Sequence, residues 1–494
     1  MDISSFNDTI CAPATGSGGA IAIIRVSGPG CFAAVDTVVR FRAGTASSSE
    51  GYRIKFGEIP DVDEVLVSIF RAPHSYTGED SAEICCHASP FIVSRIMQLL
   101  ADSGCRAAGP GEFTRRAFIN GKMDLAQAEA VADVIAADSA AAHRIASNQL
   151  RGQYSEELRS LRDRLVEIAS LMELELDFSE EEVEFADRAK LNSLLDVART
   201  EITRLADSFK AGNAIKNGVP VVIAGAANAG KSTLLNALLG EERAIVSDIP
   251  GTTRDTVEET LVLDGIRFRF IDTAGLRESS DAVERIGIER SHASMAKAQV
   301  VIGVLDGLSP LEELRKACKE ITSHLSPAQT LLLVRSKVDA YDAIPQEEFP
   351  RFDRSYGILE LKYPAFGTYN LSPEELTAEL AESLAGYVTS GGVLDISART
   401  GEGLEALKKR LVESVGDLPD AASATLVTNL RHYEALVSAR DSLSRVSDGL
   451  RSGIANEFLT QDLRSATQSL SSIFGEVTTD DILGRIFERF CIGK

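Results

Sequence analysis

Eight residues, GAANAGKS from Gly225 to Ser232, constrain the fold of this chain more than any other stretch. They match the phosphate-loop pattern G-x-x-x-x-G-K-[ST], with the apolar run VVIA before them and the helix-like STLLNALLG after. A strand that ends in such a loop and continues as a helix implies a mostly parallel sheet covered by helices. The residue types follow from the chemistry. Glycines let successive backbone N–H groups curl around phosphate oxygens, and the next helix turns its positive end toward them. Lys231 is expected to bridge the β- and γ-phosphates and Ser232 to hold Mg²⁺. The expected phosphate-contacting set is Asn228, Ala229, Gly230, Lys231, Ser232 and Thr233.

The texture on either side of this loop divides the chain. At 494 residues it is too long for one core. Residues 1–120 mix short β-like runs (AIAIIRV, DEVLVSIF, AEICCH) with glycine turns, which predicts a compact α+β domain. Residues 121–215 read as helices, with Tyr154, Leu158, Leu161, Leu165, Ile168 and Met172 along one face. Residues 216–411 alternate apolar runs with helical segments, predicting a mostly parallel α/β domain with helices on both faces, whose phosphate loop resembles that of Ras-like P-loop G domains. Residues 412–494 are helical again. The expected architecture is therefore an α/β domain inserted into an all-helical one, behind an N-terminal α+β domain.

Composition narrows the partners. A net charge of −22 argues against a broad nonspecific nucleic-acid surface, which needs clustered Lys and Arg, and leaves open nucleic-acid contact that is local or made through a partner. Seven scattered cysteines fit a reducing cytosol better than a disulfide scaffold. The start, MDISSFNDTI, has no signal-peptide pattern, and no apolar run reaches transmembrane length, so a cytoplasmic location is expected.

Base identity and hydrolysis can be read further along. SKVD, Ser336–Asp339, follows TLLLVR where nucleotide switches carry N-K-x-D. A carboxylate at Asp339 accepts from the N–H and amino groups of guanine but faces an acceptor on adenine, so it predicts GTP over ATP. Lys337 belongs to the same motif. Ser336 stands in place of Asn, and one contact to base or loop is expected to be shortened or lost, weakening nucleotide affinity. Ser397, Ala398 and Arg399 resemble the S-A-K loop that supports the base. DTAG, Asp272, Thr273, Ala274 and Gly275, reads as the segment that senses Mg²⁺ and the γ-phosphate. Leu276 follows where Ras-like switches place a water-orienting Gln, so a group from elsewhere is needed, and Glu284 is the candidate. Ser247, Asp248, Ile249, Pro250, Gly251, Thr252 and Thr253 form the mobile-loop set, with the Thr253 hydroxyl placed to complete the Mg²⁺ shell. No arginine finger is evident, and the Asn228 carbonyl with carbonyls of AIVSDIPGTT offers an oxygen site for a monovalent cation that supplies the same positive charge.

The chain ends in FCIGK. Its last four residues depart from a prenylation box, which wants two aliphatic residues after the cysteine. Ile482, Leu483, Ile486, Phe487 and Phe490 fall at helical spacing and predict a stripe docked on a core, delivering Cys491 to a defined place.

Taken in order, GAANAGKS, SDIPGTTRD, DTAGLRESSDAVERIGIERS and the terminal FCIGK resemble the MnmE (TrmE) family of tRNA-modification GTPases, as do NDTICAPAT, SYTGEDSAEICCH and PGEFTRRAFINGKMDLAQAEAV. The resemblance spans nearly the whole chain; Ala227 (usually Pro), Ser336 and the long stretch between Asp339 and Ser397 depart from the family pattern. The resemblance implies an N-terminal domain binding a one-carbon tetrahydrofolate through Arg25, Glu83 and Lys122, with Lys494 closing the site. It implies K⁺ ligands Asn228, Ser247, Ile249 and Thr252, Mg²⁺ held by Ser232 and Thr253, and Glu284 orienting water. It further implies a homodimer and an FAD-containing partner, MnmG (GidA), which together build an aminomethyl-type group on the wobble uridine of certain tRNAs. Cys491 then reaches the folate pocket either as a nucleophile or as an apolar anchor, and both readings stand. A rival function, a regulatory GTPase binding ribosomal RNA in ribosome assembly, would call for a basic RNA-binding module in place of these flanks.

Overall fold

The computed structural model describes residues 7–16, 18–177, 188–240, 259–271, 295–326, 329–343, 371–385, 387–389, 391–415, 425–452, 454, 456–476, 480–488, 490 and 493. These residues divide into two compact units, one of residues 1–137, 143–207 and 429–494, the other of 138–142 and 208–428.

The first unit opens with seven strands: β1 (Ile10–Pro13), β2 (Ile21–Ser27), β3 (Arg40–Phe41), β4 (Arg53–Ile59), β5 (Asp63–Phe70), β6 (Ser81–His87) and β7 (Arg106–Ala107). They form one sheet in the order β3-β4-β5-β6-β2-β1-β7. Alternation decides its faces, because successive side chains of a strand point to opposite sides. Val65, Val67 and Ile69 of β5 and Ile24 and Val26 of β2 join Phe32, Val35, Ile96 and Leu100 from helices Cys31–Val38 and Pro90–Asp102 in a closed core. The opposite face keeps Ile21, Ile54 and Leu66 exposed.

Helices complete this unit. The predicted stripe on helix Gln153–Asp177 is buried at all six positions from Tyr154 to Met172, and each such aliphatic side chain contributes roughly 1.5–3 kcal/mol by leaving water. A polar knot also lies inside. Glu129 of helix Leu125–Ala136 meets His432 (Nε2 to Oε2, 2.7 Å) and Arg431 (Nε to Oε1, 3.0 Å) of helix Leu430–Arg451. Arg431 also donates to the Ser472 and Ile473 carbonyls of helix Asn456–Phe474, and His432 stacks on Tyr154 at 5.4 Å. Burial alone would raise the Glu129 pKa, but the charges and hydrogen bonds of His432 and then Arg431 outweigh it and bring it down to about 2.

The last helix, Asp480–Phe487, docks as its spacing predicts. Leu483, Phe487 and Phe490 are buried with Leu125 and Ala128, beside Phe118 and Met123.

The second unit is the expected α/β domain. Strands β8 (Val219–Gly225), β9 (Glu259–Leu263), β10 (Ile266–Phe270), β11 (Val300–Asp306), β12 (Thr330–Ser336), β13 (Val388–Thr389) and β14 (Leu394–Asp395) form a sheet in the order β13-β12-β11-β8-β10-β9, with β14 also on β12. Every pairing is parallel except β9 with β10. Both faces are covered, which is why the strands read as continuous apolar runs. Val221, Ile302 and Val334 pack toward helices Lys231–Gly240 and Leu404–Glu413, while Val222, Val301 and Leu333 pack toward helices Leu311–Ser323 and Pro373–Leu384. Among the described residues no helix is long and apolar enough to cross a membrane.

Candidate functional sites

The phosphate loop sits where a doubly covered parallel sheet presents its ligands, at the carboxyl end of a central strand. β8 ends at Gly225, the loop turns through Asn228 at φ +62° and Gly230 at φ +97°, and the helix begins at Lys231. Gly225 has φ +152°, and a Cβ there would lie 2.4 Å from the Val304 carbonyl oxygen, so the neighbouring strand forces a glycine. Asn tolerates the left-handed region better than most residues. Lys231 Nζ donates to the carbonyls of Gly225 (2.8 Å) and Ala226 (2.7 Å), curling over its own loop, and burial lowers its pKa.

Beside the loop lies a cavity of about 240 Å³, lined in part by Gly230, Thr233, Lys337, Asp339, Ala398 and Arg399. Two loops build its wall. Past β12, Lys337 adopts φ +65° and its ammonium pairs with Asp306 at 2.6 Å. Past β14, the fully buried Ser397 donates its hydroxyl to Asp339 Oδ1 at 2.7 Å, fixing the carboxylate. Ser336 makes the loop contact with its shorter side chain: its Oγ lies 2.7 Å from the Ala229 carbonyl oxygen and 3.2 Å from that of Leu305. On the loop side a contact is therefore made by serine, because β12 ends close enough to the phosphate loop for a hydroxyl to span the gap.

Of the expected residues, Gly230, Thr233, Lys337, Asp339, Ala398 and Arg399 line the pocket, Asn228, Ala229, Lys231 and Ser232 belong to the loop and helix start that carry Gly230 and Thr233, and Ser397 holds Asp339. Ser247–Thr253, Asp272–Gly275, Glu284, Cys491 and Lys494 lie outside the described residues.

In the other unit, Arg25 and Glu83 are cross-strand partners on β2 and β6. Arg25 Nε and Nη2 donate to Glu83 Oε1 at 3.0 and 2.7 Å, and Nη1 reaches the Gly493 carbonyl at 3.3 Å. The rings of Tyr76 and Phe113, which sequence reasoning missed, lie 5.4 and 5.5 Å from the guanidinium carbon. Lys122 is anchored on the Pro73 carbonyl at 2.9 Å, with its stem against Gly78 of the same loop. The place to which the C-terminal helix leads is therefore the end of β1 and the Arg25 guanidinium.

Gly493 makes that docking testable. It is buried at φ +95°, and a Cβ would meet the Pro13 carbonyl oxygen at 2.1 Å. Gly493→Ala should displace the tail, raising hydrogen exchange over residues 480–490 and costing at least about 1 kcal/mol, with GTP turnover in the other unit within about twofold of the parent. Unchanged exchange would show that the tail does not need this backbone conformation.

The model of the GTP-binding protein TrmE N-terminus matches residues 9–122, and that of the MnmE helical domain matches residues 125–491. Relatives named tRNA modification GTPase MnmE include one from Bacteroides thetaiotaomicron, 47% identical over 493 residues and 99% of either chain. Another, from Parabacteroides distasonis, is 47% identical over 98% of this chain and all of its own length. A third, from Christiangramia forsetii, is 44% identical over 99% of either chain. With full-length likeness at this level and a nucleotide pocket built as the motifs require, the chain belongs to the MnmE (TrmE) family of tRNA modification GTPases.

Proposed function

We propose that this chain hydrolyses GTP in a K⁺-dependent manner and uses that cycle, with an FAD-containing partner, to install an aminomethyl-type group on the wobble uridine of certain tRNAs. Water attacks the γ-phosphorus, the bond from that phosphorus to the β–γ bridging oxygen breaks, and GDP and inorganic phosphate leave. The observation that carries the reading is the pairing of a lysine-tipped phosphate loop with a cavity in which Ser397 orients Asp339. The Lys231 ammonium, satisfied by two loop carbonyls, exchanges them for phosphate oxygens on binding.

Asn228, Ser232, Ser247, Ile249, Thr252 and Thr253 offer carbonyl and hydroxyl oxygens, a donor set suited to hard cations. Mg²⁺ and K⁺ held there would neutralise charge that develops as the terminal bond breaks. Glu284 orients the water in this reading. One-carbon tetrahydrofolate binds the first unit, where the Arg25 guanidinium lies near the rings of Tyr76 and Phe113. The exposed apolar sheet face carrying Ile21, Ile54 and Leu66 supports the homodimer in this reading. A tRNA substrate is consistent with a cytoplasmic protein.

GTP turnover in K⁺ and in Na⁺, with and without Glu284→Ala, tests the reading. We expect turnover about tenfold faster in K⁺, and Glu284→Ala to lower kcat about 10²-fold with little change in KM. Equal rates in the two salts would remove the alkali ion from the mechanism, and absence of GTP turnover would overturn the reading altogether.

A further inference from the structure

We propose that Arg335 and Asp395 are positioning residues for guanine recognition, a buried ion pair that sets the separation of the two base-reading loops and thereby the preference for guanine over a purine lacking the 2-amino group. Neither residue lines the cavity. Arg335 is among the largest fully buried side chains, 2% exposed, on the strand that ends at Ser336. Its Nε and Nη2 donate to the two oxygens of Asp395 at 2.6 Å each, and its Nη1 donates to the Leu371 carbonyl at 2.9 Å. Leu371 directly precedes the start of helix Pro373–Leu384 and its cap Ser372.

The backbone alone holds this junction weakly. β14 has two residues, paired to β12 as Val334↔Leu394 and Arg335↔Asp395, with two further bonds, Ile396 N to the Arg335 carbonyl at 2.9 Å and a long one from Val338 N to the Ile396 carbonyl at 3.4 Å. A one-residue slip of so short a strand would turn Asp395 to the other face. Ser397, two residues on, would then leave Asp339, which it now meets at 2.7 Å. A planar guanidinium gripping both carboxylate oxygens admits one register, and a lysine in its place cannot reproduce the fork. Buried ion pairs add little net stability compared with apolar residues of the same volume, and fixing a register is their best-attested use. The inference rests on Asp339 reading the guanine edge, as proposed above.

The test compares Arg335→Lys, Asp395→Asn and the double variant Arg335→Leu with Asp395→Leu in the full chain. Steady-state kinetics are measured with GTP and with inosine triphosphate, which lacks the 2-amino group. Arg335→Lys keeps the charge and the aliphatic stem, so it reports on register in a folded protein. In both single variants we expect KM for GTP to rise about tenfold, kcat to change less than threefold, and the preference for GTP over the inosine nucleotide to fall at least about fivefold. The double variant should regain thermal stability without regaining preference. An unchanged preference in both single variants, whatever their stability, would overturn the proposal and leave the pair a packing element. Equal use of the two nucleotides by the unsubstituted protein would instead refute the role given to Asp339, and this inference with it.

Discussion

Asp339→Asn should invert the base preference of this GTPase, lowering kcat/KM for GTP on the order of 10³-fold or more while raising it for xanthosine triphosphate. The carboxylate of Asp339 is acceptor-only, and one of its oxygens already receives the Ser397 hydroxyl at 2.7 Å. Its remaining lone pairs face the cavity, where guanine presents two donors, a ring N–H and an amino group. An amide supplies one acceptor and one donor. Whichever way it flips, one guanine donor is left against an N–H or unpaired, a cost a buried polar edge does not escape. Xanthine carries a carbonyl where guanine carries the amino group, so the amide becomes complementary to it. Retained preference for GTP in a folded Asp339→Asn protein would mean that another group reads the base.

Glu129→Ala should destabilise the helical part of the first unit by about 3–5 kcal/mol, the cost of leaving a buried cationic partner uncompensated. Arg431 keeps the Ser472 and Ile473 carbonyls, but His432 loses its carboxylate within a buried stack on Tyr154. Because the chain has two units, one melting temperature does not describe it. The informative measurement is hydrogen exchange in helices Gln153–Asp177 and Leu430–Arg451, which should accelerate while GTP affinity in the other unit stays within about twofold. The pH dependence follows with a definite sign. The Glu129 pKa is near 2 when folded against 4.5 for the free side chain, a depressed value. Its contribution, about 3 kcal/mol, is therefore complete above pH 4.5 and disappears as pH falls toward 2. Glu129→Gln should flatten stability across that window, and an unchanged acid profile would place the acid-labile contacts elsewhere.

What could be read ahead of the structure was local in sequence. The phosphate loop, the stripe from Tyr154 to Met172 and the docking stripe from Leu483 to Phe490 are encoded by spacings of a few residues, and the structure places each as expected. The buried charges were illegible for the opposite reason. Arg335 meets a partner 60 residues away, and Glu129 meets one 302 residues away. Arg116, within the stretch PGEFTRRAF, is likewise fully buried, against Asp8, Glu79 and Glu112. A charged side chain announces neither its burial nor its partner, because both depend on which distant segment folds over it. Ser336 shows the same limit on a smaller scale: the exchange of Asn for Ser was visible, but the closeness of the Ala229 carbonyl, which keeps the loop contact, was not.

The order in which these pieces leave the ribosome has a consequence. Helix Gln153–Asp177 and the segment Phe118–Ala128 emerge early, but Val446, Leu463, Leu483 and Phe487, which share that helical interior, are translated only after the whole nucleotide-binding unit. The inserted unit holds both faces of its sheet within residues 208–428 and is free to condense as soon as it is made. The helical part of the first unit must wait with apolar surface uncovered, a period in which nascent chains are prone to aggregate and are the natural clients of chaperones.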